Sequence, residues 1–164
     1  MVQTMKKITL LILILPFFLI VGCVNTVSNQ YLKTNEAANL QNNGYSIAAS
    51  IDHITVDPSR PNNHMLNIFM TVKNTGNKAI SPFWFSKVTD YAGVTNNGLG
   101  STSGLLYPGE SATGTDYIII YSDKEYDALL KGATLNVRFS QKNSLTEPIL
   151  NIGDASWNID LKNI

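Results

Sequence analysis

The sequence predicts an all-β, antiparallel sandwich of about seven strands with one short helix, preceded by an export signal and a flexible tether. Three observations predict it. From residue 45 onward, short runs of β-branched and aromatic residues alternate with clusters of Gly, Pro, Asn and Asp, the pattern of strands joined by turns. One segment, 122–132, has its apolar residues on a single helical face instead. The first 22 residues join a positive start, an apolar run and a small residue, the three parts of a secretory signal.

Composition bounds the rest. The chain has 164 residues, 44% hydrophobic and 15% charged, which is enough for one core. Lys+Arg 12 balance Asp+Glu 12, so the broad basic surface that phosphate-backbone binding requires is missing and no nucleic-acid partner is expected. Two Trp, seven Tyr and six Phe supply apolar surface to offset chain entropy in a folded unit.

The export signal starts at Met1 or Met5, with Lys6-Lys7 followed by an apolar run from Ile8 to Val21 broken only by Thr9 and Pro16. That run is short for a membrane span. It ends in Ile20-Val21-Gly22-Cys23, which resembles the lipobox of prokaryotic lipoproteins. The resemblance implies that the Cys23 thiol receives a diacylglyceryl group, that cleavage falls just before it, and that the mature chain is held on the membrane by its lipid. Two acyl chains meet the two-signal requirement for stable anchoring. With Cys23 the only cysteine, the domain contains no internal disulfide. Removal of residues 1–22 takes away Lys6 and Lys7 and no acid, so attachment depends on lipid and not on a polybasic patch. Residues 23–44, rich in Asn, Gln, Ser and Thr without a sustained period, read as the tether. Residues 45–164 read as the domain.

Its elements follow in order. Residues 46–56 form the first strand, with Ile47, Ala49 and Ile51 alternating, and Asp57-Pro58 to Asn63 end it. Residues 65–74 follow: Leu66, Ile68, Met70 and Val72 share one face, with Asn67, Thr71 and Lys73 on the other. Residues 79–88 are apolar on both parities at Phe83, Trp84 and Phe85, and Pro82 suggests an edge or a bulge. Residues 89–104 show no strong period and read as a long loop, which in a compact sandwich carries recognition; Asp90 and Tyr91 at its start are the candidate binding residues. A short strand at 105–107 runs into the type II turn signal Pro108-Gly109. Residues 111–121 end in Tyr117-Ile118-Ile119-Ile120-Tyr121, apolar on both parities and so expected to be covered on both faces. Ser122-Asp123-Lys124-Glu125 has the spacing of a capping box for the helix. Residues 133–140 and 149–161 supply the last strands, the latter bulged near Gly153-Asp154.

Several pieces in sequence, Met70-Thr71-Val72-Lys73-Asn74-Thr75-Gly76, an aromatic next strand, the Asp90-to-Gly93 loop and Leu106-Tyr107-Pro108-Gly109-Glu110, resemble a family of lipoprotein domains from bacteria and archaea. The resemblance covers most of residues 45–161. It implies an immunoglobulin-like, or telokin-like, sandwich facing outside the cytoplasm, and the family supplies no catalytic residue to carry over.

Chemistry sought in the residues is mostly missing. Gly100-Ser101-Thr102-Ser103-Gly104 has Thr102 where a hydrolase elbow needs its serine. His53 and His64 are too few for a zinc or copper cluster. Asp123, Glu125 and Asp127 open like a calcium loop, but Ala128 and Thr134 stand where glycine and glutamate are required. Asp90 with Asp116 leaves an oxygen-ligand site open, and Trp84, Trp157, Tyr91 and Tyr107 are candidates for stacking on a partner.

The expectation is therefore a lipid-anchored domain of the cell envelope for binding, adhesion or envelope support, with no catalytic residues, no metal and no cofactor. Its partners are the membrane, through the N-terminal lipid, and an envelope protein. A subunit presenting a strand edge or aromatic face to a larger membrane complex is the alternative, and an enzyme with an unrecognised site the third. Metabolic labelling with a lipid precursor tests the anchor. The wild type is expected to take up label and Cys23→Ser to stay unlabelled; label on both would contradict the lipobox.

Overall fold

The computed structural model describes residues 31–57, 63–142, 148–162 and 164. Cys23 and the Ile20-Val21-Gly22 cleavage signal lie outside the described residues. The described residues are all-β with one short helix. Its strands are β1 (Leu32–Lys33), β2 (Ala38–Asn42), β3 (Tyr45–Asp57), β4 (His64–Asn74), β5 (Pro82–Asp90), β6 (Thr95–Thr102), β7 (Ser111–Ile120), β8 (Ala133–Gln141) and β9 (Leu150–Ile159), and α1 (Asp123–Leu130) joins β7 to β8.

All nine strands belong to one sheet, in the order β1-β9-β8-β5-β6-β7-β4-β3-β2, where about seven strands in a sandwich were expected. The sheet is antiparallel except where β1 runs parallel to β9, and it curls until its two ends meet. The residues that make the ends meet come from the stretch read as a tether. β2 pairs with β3 on one side and approaches β9 on the other, where Asn42 Nδ2 donates to the Asn151 carbonyl at 3.0 Å and Trp157 Nε1 donates to the Glu36 carbonyl at 3.0 Å. The folded part thus begins before residue 45. The polar composition of 31–42 concealed this, because a seam strand needs backbone partners more than apolar side chains.

The period-two reading of β4 holds: Leu66, Ile68, Met70 and Val72 are fully buried. The core continues through Ile47, Ile51, Ile118 and Ile120 to an aromatic group in which Phe139 lies 5.7 Å from Trp84 and 6.4 Å from Trp157, centroid to centroid. The Asn-Thr-Gly turn is held by buried Asn74, whose Nδ2 donates to the carbonyls of Lys78 (2.8 Å) and Leu106 (3.0 Å) and whose Oδ1 accepts from Gly76 N–H (3.0 Å). Both amide hydrogens and one acceptor position of that side chain are used, which makes it a fixed joint between loops. Gly109, at φ 88°, closes the expected turn with Glu110 N–H donating to the Tyr107 carbonyl. Ser122 caps the helix, its Oγ accepting from Glu125 N–H, while Glu125 Oε2 reaches back to Tyr121 N–H, one residue before the cap, both at 3.3 Å; half of the capping box forms.

Four expectations need correction. Residues 89–104 are no long loop: they end β5, turn at 91–94 and form β6, a strand hidden by its glycines and asparagines. Residues 105–107 contribute an isolated bridge, Ile80 to Leu106, and no strand. Pro82 is the first residue of a strand with neighbours on both sides, a place where its missing N–H is tolerated. The end of β7 is covered on one face only, for Tyr117 is 55% exposed. The bulge expected in β9 is present, with Ile152 left out of the ladder opposite Phe139 and Ser140.

The glycines of β6 have a packing reason. Gly98 and Gly100 point inward between Ser86 and Trp84 on β5 and Ile118 and Asp116 on β7. A Cβ on Gly100 would overlap the Trp84 indole, and one on Gly114 would overlap the same ring and the Ser101 backbone. The indole therefore occupies a trough that lacks side chains. Gly100→Ala is expected to destabilise by about 1–3 kcal/mol, at the upper end of that range because backbone surrounds the ring. Asn97→Ala, exposed on the same strand, should stay within about 0.5 kcal/mol. Urea unfolding of both variants checks the contrast; equal effects would contradict the trough.

Candidate functional site

The residues singled out by sequence, Asp90 and Tyr91, sit at the β5–β6 turn. Asp90 is nearly buried, and its Oδ1 accepts from Ala92 N–H at 2.8 Å and from Val94 N–H at 2.9 Å. Its backbone N–H donates to the Val94 carbonyl, and Gly93 at φ 87° supplies the left-handed turn position. That carboxylate oxygen is engaged in closing the hairpin. Tyr91 is exposed, with Lys131 Nζ 5.3 Å from its ring centroid. Both border an open depression of about 340 Å³ floored by Ala133, Thr134 and Asn158.

The other sequence candidates do not converge. Asp90 lies beyond the Thr89–Thr95 pair at one end of the sheet, whereas Asp116 is opposite Gly100, so the two carboxylates share no site. His53 stacks on Phe69 at 4.2 Å. His64 stacks on Tyr126 at 4.1 Å and its Nε2 lies 2.8 Å from Asp123 Oδ1, so the two histidines have separate partners. Among the described residues no three His, Cys, Asp or Glu side chains are grouped to hold a metal. Trp84 and Trp157 are fully buried, which leaves Tyr91 and Tyr107 as the exposed members of the aromatic set.

What sequence reasoning missed lies on the outer face of β5, β6 and β7. Alternation sends Trp84 and Ser86 inward and Phe85 outward, Gly98 and Gly100 inward and Leu99 outward, Asp116 and Ile118 inward and Tyr117 outward. The ladders place Phe85 opposite Leu99 and Leu99 opposite Tyr117, so three large apolar side chains form one row across three strands. They are 47%, 58% and 55% exposed. Phe83 extends the row, meeting Phe85 edge-on at 5.7 Å. Asn67 follows Tyr117 at one end. At the other, Arg138 stands opposite Phe85, and its Nε donates to Asp154 Oδ1 at 2.9 Å; that bond, with the attraction of the carboxylate, raises the guanidinium pKa further. Both partners are well exposed, so the pair orients side chains more than it stabilises the fold. Leu99 fell in the stretch read as a loop, and strand order, which alone brings the three residues together, is not written in any local period.

Directly beneath this row is a buried acid. Asp116 has no exposed surface, and its pKa is raised because burial removes the carboxyl from water; Ser86, the Tyr117 backbone N–H and Trp84 face it and oppose that shift without cancelling it. Neither Ser86 Oγ nor Trp84 Nε1 closes a hydrogen bond of good geometry with it. A Cβ on Gly98 would overlap the carboxyl, the Ser86 hydroxyl and Ile118. The acid is thus enclosed by the same glycine trough that holds Trp84.

No family model and no curated protein matches the chain. Among solved structures it is similar to an uncharacterized β-sandwich protein from Clostridium difficile 630, with 11% identity, coverage of 80% of this chain and 95% of that one, and a TM-score of 0.47. It is also similar to a β-glucuronidase from glycoside hydrolase family 2, with 10% identity, coverage of 66% of this chain and 11% of that one, and a TM-score of 0.45. A function for this chain has to come from its own residues.

Proposed function

We propose that the chain is a lipid-anchored binding domain of the cell envelope, without catalysis of its own, that meets a protein partner through the outer face of β5, β6 and β7. In this reading the β-framework serves as an immunoglobulin-like domain does, as a rigid support for a contact surface. The observation that supports it is the exposed row Phe85-Leu99-Tyr117, in register across three adjacent strands and extended by Phe83. Scattered apolar residues on a surface need no explanation, whereas a contiguous row bordered by polar side chains is the form of a contact patch. The aromatic members bring large contact area at small entropic cost, and the Arg138–Asp154 pair and Asn67 supply a polar rim. Attachment through Cys23 would hold the domain at the membrane, where such a partner resides.

The row is also inexpensive to change. Because Leu99 and Tyr117 are more than half exposed, Leu99→Ser and Tyr117→Ser should each shift stability by less than about 1 kcal/mol. A photo-reactive residue at position 101, beside the row, should cross-link a discrete protein in native membranes, and Leu99→Ser with Tyr117→Ser should abolish that product at an unchanged melting temperature. The same probe at Lys124 on α1 should yield nothing comparable. Equal products from both positions, or a product indifferent to the double change, would contradict the reading.

A further inference from the structure

We propose that Asp116 makes the β5-β6-β7 panel sensitive to rising pH, so that the outer row is held in shape while the acid is protonated and loosens once it ionises. The docking half of this inference rests on the function proposed above; the stability half does not.

The geometry places the acid where its charge state acts on the row. Asp116 immediately precedes Tyr117, Gly98 and Gly100 flank Leu99, and Trp84 and Ser86 flank Phe85. These inward residues therefore alternate with the outward residues of the row. Around the acid stand Trp84 and Ser86 on β5, Gly98 and Gly100 on β6, Gly114 and Ile118 on β7, and Ile68 opposite it on β4. None of these is charged, and no charged side chain is among the groups acting on the carboxyl. A neutral acid in this place needs only a donor and an acceptor, which the hydroxyl and indole N–H nearby can furnish after small movements. A carboxylate there has no counter-charge, and its desolvation is offset only by neutral dipoles. A Cβ at Gly98 would overlap the carboxyl, the Ser86 hydroxyl and Ile118, so the side of the acid that faces β6 is tightly filled. Relief then requires the strands to separate and water to enter.

The sign of the pH dependence follows. The folded chain binds the Asp116 proton more tightly than the unfolded chain, whose value is the ordinary 3.8. This contribution is fully present below that value and is lost as pH rises through the folded-state pKa. Other acids move stability the opposite way at low pH, so the informative quantity is the difference between wild type and Asp116→Asn, which keeps size and polarity without a charge.

Urea unfolding across pH on the full chain tests the stability half. The unfolding constant of the wild type divided by that of Asp116→Asn is expected to rise with pH from about 4 upward, by at most about tenfold per pH unit, and then to level. A fixed offset of the variant changes neither slope nor plateau. Ser86→Ala removes a group that favours the ionised form and should carry the rise to higher pH before it levels. A pH-independent ratio overturns the proposal. The docking half is read from cross-linking at position 101: yield in the wild type should fall as pH rises over the range in which the unfolding ratio climbs, and should persist in Asp116→Asn. Parallel loss in both, or loss in neither, overturns that half. No cross-link at any pH means that the proposed function has failed, and the unfolding ratio then decides the role of Asp116 by itself.

Discussion

The fit of the Trp84 indole against Gly100 and Gly114, with Gly98 beside the Asp116 carboxyl, governs much of this structure. Gly98, Gly100 and Gly114 stand on β6 and β7 where any other residue would place a Cβ inside the ring or beside the Asp116 carboxyl. Because those positions lack side chains, the Trp84 indole packs against backbone, and Phe139 meets it at a tilt with Trp157 edge-on behind. A ring packed on backbone gains dispersion contacts with atoms that cannot change rotamer, which suits it to fix strand spacing. The same absence of side chains brings the acid, the serine hydroxyl and the indole N–H into one enclosed place.

Closure of the sheet follows from the aromatic group as well. Trp157 ends that group and reaches out to the N-terminal segment through its indole N–H and the Glu36 carbonyl. β1 joins β9 beside this contact, and β2 returns along β3. A short stretch of polar chain thereby covers both ends of a sheet that would otherwise expose two edges, a device that limits edge-to-edge association. With the edges occupied, the exposed apolar row on β5, β6 and β7 is a more accessible contact surface than a free strand edge.

Much of the fold was legible because burial on one face imposes a period of two. Leu66, Ile68, Met70 and Val72 mark β4 by their period, and Ser122 with Glu125 marks the start of α1. β6 was illegible for a physical reason: Gly98 and Gly100 point inward because the Asp116 carboxyl and the Trp84 ring fill the space a side chain would take, so the strand has no hydrophobic alternation of its own. β2 was illegible because its stability comes from backbone pairing and two side-chain-to-carbonyl bonds. The site was harder still. Asp90 looked like a ligand and is a turn cap, since a carboxylate that can bind a cation can equally accept from two backbone N–H groups. Phe85, Leu99 and Tyr117 are separated by 14 and 18 positions, and only the pairing of β5 with β6 and of β6 with β7 makes them neighbours.

The account depends on the indole of Trp84 lying on the backbone of β6 and β7, and proton NMR reads that contact directly. Protons held within a few ångströms of an aromatic ring are displaced by its ring current. The Hα resonances of Gly100 and Gly114 should therefore be displaced from those of exposed Gly93 and Gly104, and should return toward ordinary positions in Trp84→Leu. Ordinary Hα shifts for Gly100 and Gly114 in the folded wild-type protein would contradict the trough, and with it the enclosed acid and the row that it supports.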